Sequence, residues 1–275
     1  MKRILIVIEN EISAKYMLEK AIKFSPEKIE LLCFDYPNDE GENDGLQNVL
    51  ESIVKPQCET HVTFETGESV GVRITKLENT LDDDGFDMVM LHRPILGEEV
   101  PDYSLIKAIL KTSTKATVFL CGDNRWKQTF KVLATVDLSQ DDDIQSALNK
   151  RVVGVADNVC NQLTTELAIL SVIPISRVSD ELDLVDPWEV FQEHGQWTKN
   201  KMAEFVKDNG LENDTSVHVV AGLPQNEITS IAKKLKTNLV VIGNVGRTGI
   251  KGFIVGNTAE KILNRLSVDA LIVRQ

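Results

Sequence analysis

The stretch LVVIGNVGRTGIKGFIVGNTAEKILNRL, residues 239–266, decides how the chain is read. An apolar run, Leu239 to Ile242, stops at Gly243, and further glycines follow at Gly246, Gly249, Gly252 and Gly256. Ala259, Ile262, Leu263 and Leu266 then recur at helical spacing. Strand, glycine-rich loop and helix start is an arrangement that turns several backbone N–H groups toward one anion. Glycine lets a ligand approach the main chain closely. The stretch therefore reads as a phosphate cradle at the end of a buried strand, in an α/β domain.

Working outward, the chain repeats itself. Each half opens with a strand, Arg3 to Glu9 and Lys131 to Asp137, followed by an amphipathic helix. Ala14, Met17, Leu18, Ala21 and Ile22 form the first helical stripe, and Ile144, Leu148, Val152, Val155 and Val159 the second. Further strands read at Ile29 to Phe34 and Glu166 to Ile173, at His61 to Thr66 and Val217 to Ala221 with glycine exits at Gly67 and Gly222, and at Asp87 to Leu91 and Asn238 to Ile242. Ala116 to Cys121 and Ala270 to Val273 close the two halves. Strands that alternate with helices and are apolar on both faces predict parallel sheets covered on both sides. The expected architecture is α/β: two tandem doubly wound domains, 1–124 and 125–275, each with a five-stranded, mostly parallel sheet.

The loop is neither of the two commonest phosphate motifs. GxxxxGK[ST] is missing, and so is GxGxxG after a first strand. The spacing is Gly243-x2-Gly246-x9-Gly256-Asn257-Thr258, with RTG after the second glycine and GNTAEKIL from the third. This pattern closely resembles the universal stress protein family, and the tandem arrangement resembles its two-domain branch. In nucleotide-binding members the motif is G-x2-G-x9-G-[S/T] and holds the phosphates of ATP. Here Asn257 stands at the Ser/Thr position and Thr258 comes one residue later. The resemblance implies that the closing strands of the two halves pair, forming an intrachain pseudo-dimer.

The resemblance also implies a site. Gly243, Gly246, Arg247, Gly256, Asn257 and Thr258 would hold phosphates, Asp137 would face the nucleoside, and backbone at Val172 would contact adenine. General physics supports the placement, since ligands of open α/β sheets bind outside the carboxyl ends of strands. Asp137, Val172, Gly222 and Gly243 all fall at such ends. The structural alternative for Asp137 is an N-cap of the following helix. The matching loop of the first half, HRPILGEEVPDY (residues 92–103), carries Pro94, Pro101, Glu98, Glu99 and Asp102 in place of glycines, and Glu9 replaces Asp137. The first domain therefore reads as degenerate.

Charge agrees with this division. The chain is −12 overall, which argues against nonspecific nucleic-acid binding. Residues 1–124 carry 13 Lys+Arg against 23 Asp+Glu, whereas residues 125–275 carry 17 against 19. Within residues 243–265, Arg247, Lys251, Lys261 and Arg265 face only Glu260, so an anion is favoured in the second half.

An acidic insertion, residues 174–196, carries Trp188 and Phe191 with Trp197 just beyond. It reads as a loop whose aromatics cover the core, the alternative being a lid or a partner surface. Cys33, Cys58, Cys121 and Cys160 show no CxxC spacing, and the four histidines show no metal spacing. No apolar run approaches the roughly 18 residues of a membrane span. The expectation is a cytoplasmic stress-response protein that binds ATP or another adenine nucleotide without a metal. It would act by regulation, with at most very slow ATP hydrolysis. The expected partner is a nucleotide or other small molecule, with no nucleic acid and no membrane, and homo-oligomers are left open. The competing reading is a scaffold that holds an apolar or acyl metabolite or a protein partner.

Overall fold

The computed structural model describes residues 1–9, 11–35, 44–81, 85–93, 104–112, 116–127, 129–139, 142–175, 185–211, 215–244 and 261–274. The chain divides into two compact units, with main spans Met1–Trp126 and Lys127–Arg247.

The first unit contains β1 (Arg3–Ile8), α1 (Glu11–Ala21), β2 (Lys28–Phe34), α2 (Asp44–Val49), β3 (Glu59–Glu65), α3 (Val70–Leu81), β4 (Met88–His92), α4 (Ser104–Thr112) and β5 (Thr117–Cys121). Its strands lie in the order β3-β2-β1-β4-β5, each pair parallel. The apolar run Ile4 to Ile8 is at most 1% exposed because helices cover both faces of a central strand. Burial of each such side chain contributes about 1.5–3 kcal/mol.

The second unit repeats the plan with β6 (Lys131–Val136), α5 (Asp143–Leu163), β7 (Glu166–Pro174), α6 (Pro187–Asp208), β8 (Thr215–Gly222), α7 (Pro224–Lys234), β9 (Leu239–Asn244) and β10 (Asp269–Arg274). Its order, β10-β9-β6-β7-β8, is the same topology. The duplication extends to single bonds. Thr117 donates its N–H to the Asp87 carbonyl at 2.9 Å, and Asp269 donates to the Asn238 carbonyl at 3.1 Å. The expected pair of doubly wound α/β units is therefore observed.

Two local expectations change. The buried stripe of α5 is Leu148, Val152, Val153, Ala156, Val159 and Cys160, whereas Ile144 is 51% exposed. The helix begins at Asp143, so Ile144 lies in its first turn, outside the stripe that meets the sheet. The acidic insertion is not simply a loop. Asp186 accepts the Trp188 N–H at 2.8 Å and Pro187 opens a 22-residue helix, α6, which is the usual economy of a capping carboxylate followed by a residue without an N–H. The buried stripe of α6 is Gly195, Thr198, Met202 and Val206. Trp188 and Trp197 are 66% and 51% exposed, so these two aromatics do not cover the core.

Candidate functional site

In a parallel sheet, residues that pair across strands share a face. Thr135 pairs with Ile242 of β9 and Leu170 of β7, and Leu170 pairs with His218 of β8. Two residues further along each strand come Asp137, Asn244, Val172 and Val220, a row across the carboxyl ends of four neighbouring strands. The opposite face is fixed by Gly243, where an added Cβ would lie 3.0 Å from the Leu148 side chain and 3.1 Å from Val152 of α5. Asn244, the next residue, therefore leaves the sheet on the side away from α5.

Asp137 is held by a residue that sequence reasoning missed. Asn149 is 4% exposed. Its Oδ1 accepts the Asp137 N–H at 3.1 Å, and its Nδ2 donates to the Asp137 carbonyl at 2.6 Å. Gln145 Nε2 donates to the same Asn149 oxygen at 2.9 Å. A buried side-chain amide thus replaces the sheet ladder just where β6 ends. The only available signal was a polar residue beside Leu148 in an apolar helical stripe. The carboxylate of Asp137 accepts from Ser139 N–H at 2.9 Å and Ser139 Oγ at 2.6 Å through Oδ1. It does not cap α5. That role belongs to Asp142, whose carboxylate accepts the Gln145 N–H at 2.7 Å.

Gly222 ends β8 with φ +155°, and an added Cβ would meet the Glu227 side chain at 2.8 Å. Burial raises the Glu227 carboxyl above its ordinary value. Gly246, Arg247, Gly256, Asn257 and Thr258 lie outside the described residues. Of the cations beyond them, Arg265 donates through Nη1 to Asn226 Oδ1, and Lys261 is exposed.

Beside the row lies a hollow of about 420 Å³ between the end of β7 and α6, within the range of small-molecule sites. Val172, Ile173, Ile175, Val190 and Trp197 make its walls largely apolar, with Ser139, Ser171, His194 and Thr198 among the polar groups. Val172 belongs to both the hollow and the row. The helix that closes the hollow was the second element missed from the sequence.

The first half is built differently at the same level. Arg73 of α3 donates to Glu9 Oε1 at 2.6 Å, to Asp35 Oδ2 at 2.8 Å and to the Gly67 carbonyl at 3.1 Å. Its guanidinium also lies 5.9 Å from the Phe34 ring centroid. The strand ends of β1, β2 and β3 are thereby tied together. At the matching glycine of the second half, Gly222, the side chain that an added Cβ would meet is that of Glu227, as at Gly67 it is that of Arg73. At the place equivalent to Gly243 stands His92, whose Nε2 lies 2.9 Å from Asp123 Oδ1.

The sequence profile described as "Universal stress protein family" matches residues 131–274, the second unit. The chain belongs to the universal stress protein family. It is 28% identical over 160 residues to Universal stress protein E of Escherichia coli (strain K12), covering 57% of this chain and 50% of that protein. It is 24% identical over 237 residues to the Universal stress protein E homolog of Haemophilus influenzae, covering 83% and 74%. The chain thus spans about half the length of the Escherichia coli relative that it matches. Its fold resembles that of a universal stress protein from Archaeoglobus fulgidus, with a TM-score of 0.62, 16% identity and 98% of each chain covered. Among the described residues of this universal stress protein, no helix is long and apolar enough to cross a membrane. No group of three His, Cys, Asp or Glu that could hold a metal ion occurs among those residues either.

Proposed function

We propose that the second unit of this universal stress protein binds an adenine nucleotide at the carboxyl ends of β6, β7 and β9, and that the protein acts in the cytoplasm by binding and regulation. The observation that carries this reading is the Asn149 clamp, which fixes the end of β6 so that Asp137 stands in one row with Val172 and Asn244. In this reading Asp137 accepts ribose hydroxyls, backbone at Val172 meets the base, and loop amides from Gly246 to Thr258 with Arg247 hold the phosphates. The sequence carries no P-loop lysine, so ATP turnover is slow or nil. The first unit serves stability, with Arg73 filling its strand ends.

The test is to denature the freshly purified protein, identify released small molecules by mass spectrometry, and titrate the emptied protein with ATP calorimetrically. ATP or AMP in the supernatant supports the site. Gly246→Asp places a negative charge in the cradle and is expected to abolish ATP binding while the circular dichroism spectrum stays the same. Unchanged ATP affinity in that variant overturns the assignment.

A second reading rests on the apolar walls of the 420 Å³ hollow. There the ligand is an apolar or acyl metabolite, or a side chain of a protein partner, and the glycine loop is a relic. Release of an acyl compound without nucleotide selects it.

A further inference from the structure

A second hollow, of about 320 Å³, lies in the first unit beside the last turns of α1. Its walls are Tyr16, Glu19, Lys20 and Lys23, with Arg125 and Trp126 from the segment that follows β5. All six belong to one compact unit. Helical spacing explains the first four, which stand at i, i+3, i+4 and i+7 and so form one stripe. Trp126 is brought to them by packing. Its ring centroid lies 5.9 Å from that of Phe24 and 6.1 Å from that of Phe119, and both phenylalanines are fully buried.

Two features suit this hollow to an anion. The first is charge. Residues 1–124 carry 13 Lys+Arg against 23 Asp+Glu, yet here three cations, Lys20, Lys23 and Arg125, surround the single carboxylate of Glu19, a net of +2. The Glu19–Arg125 contact is loose, at 3.5 Å with the arginine side chain 68% exposed, so it holds the guanidinium weakly. The second feature is a fixed cation. Lys20 is 2% exposed, and its Nζ donates to the Gly122 carbonyl at 2.9 Å and to Cys121 Sγ at 3.4 Å. An ammonium already shielded from bulk water attracts an anion several times more strongly than one at the surface. A phosphate monoester carries about −1.5 to −2 at pH 7, which balances the lining. The volume exceeds what a phosphate group alone fills, and the rings of Trp126 and Tyr16 offer apolar surface to an organic body. The acidic surroundings disfavour an extended polyanion, so the ligand is small.

We propose that this hollow binds a small organic phosphate monoester, with Lys20, Lys23 and Arg125 around the phosphate and Trp126 and Tyr16 against the organic body. The site stands apart from the nucleotide reading, since none of its residues lies in the second unit. It gives the first unit, whose strand ends Arg73 occupies, a ligand of its own at a different place.

The experiment titrates phenyl phosphate, with phenol as the neutral control, into the full chain and follows the tryptophan indole N–H signals by ¹H–¹⁵N NMR. Trp126→Phe, Trp188→Phe and Trp197→Phe assign the three signals. Trp126 then reports on the first unit, whatever enters the second. Phenyl phosphate is expected to move the Trp126 signal saturably, and phenol at the same concentrations to move it far less. Lys23→Gln combined with Arg125→Gln removes two exposed cations and is expected to weaken phenyl phosphate binding by on the order of tenfold or more, with the thermal melt unchanged. An unmoved Trp126 signal overturns the site. So does an equal response to phenol, which would make the hollow an apolar slot, and so does undiminished affinity in the double variant.

Discussion

Arg73 and Glu9 meet at 2.6 Å across the strand ends of the first unit, and the same guanidinium reaches Asp35 at 2.8 Å. Glu9 is the residue that the first half has in place of Asp137. A carboxylate that in one unit is left facing a row of strand ends is, in the other, joined to the protein's own cation. The residue over the strand-end glycine differs between the two units: Arg73 lies against Gly67 in the first, and Glu227 lies against Gly222 in the second.

The Asp35 carboxyl is held below its ordinary value first by the Gly67 N–H, at 2.7 Å, and then by Arg73. A carboxyl lowered in the folded state stabilises fully above its ordinary value of about 4 and loses that contribution as pH falls through the lowered value. Replacing Arg73 by Met is therefore expected to move the acid-unfolding midpoint upward and to lower the melting temperature at neutral pH by a few degrees. Thermal melts across the acid range read both effects. An unchanged acid limb would show that the Gly67 amide alone sets it.

His218 acts in the same direction at a higher pH. Burial lowers its pKa first, and the charges of Lys234 and Lys131 add to this. A base lowered on folding leaves stability intact above its ordinary value near 6.5, and stability falls as pH drops below that, where the unfolded chain takes up a proton the native fold resists. His218→Gln should flatten the melting curve between about pH 5 and 7. Melts of the two proteins at matched ionic strength decide it.

Gly243 carries a packing constraint whatever its part in ligand binding. A Cβ there would stand 3.0 Å from Leu148 and 3.1 Å from Val152. Gly243→Val is expected to cost about 1–3 kcal/mol by overpacking, and Gly243→Ala less, since the Leu148 tip can shift. Urea unfolding of both variants measures this directly, and equal stability would mean that α5 moves freely off β9.

The four cysteines should separate by reactivity. Burial pushes the Cys33 and Cys160 thiols up to about 12, and Cys121 is fully buried. Cys58 is only half-buried and, though burial raises it as well, Thr60 opposes the shift. Ellman's reagent on native protein should show one fast thiol, absent from Cys58→Ser, and four after denaturation. A fast phase that survives Cys58→Ser would contradict this order.

The fold could be read from single residues because strands buried on both faces leave unbroken apolar runs, such as Ile4 to Ile8 and Leu239 to Ile242. Asp137 and Val172 were legible as strand ends for the same reason. Asn149 was not, because a buried amide that binds a backbone 12 residues away looks, in sequence, like any polar residue on a helix. The helix α6 was signalled by Asp186-Pro187, yet the acidic residues around it masked the start. Gly243 reads as a ligand-approach glycine from sequence alone, and the contact with Leu148 that also requires it lies 95 positions away along the chain.

The placement of the three tryptophans has a spectroscopic consequence. Trp126 sits in the first unit against Phe24 and Phe119, with ring centroids 5.9 and 6.1 Å away. Trp188 and Trp197 belong to α6 of the second unit, where Trp197 borders the hollow and carries the Lys201 ammonium 4.0 Å above its ring. Trp126 emission thus follows the unfolding of one unit, while Trp197 emission follows whatever enters the other. With Trp188 replaced by Phe, the halves of this duplicated chain can be watched separately in one cuvette.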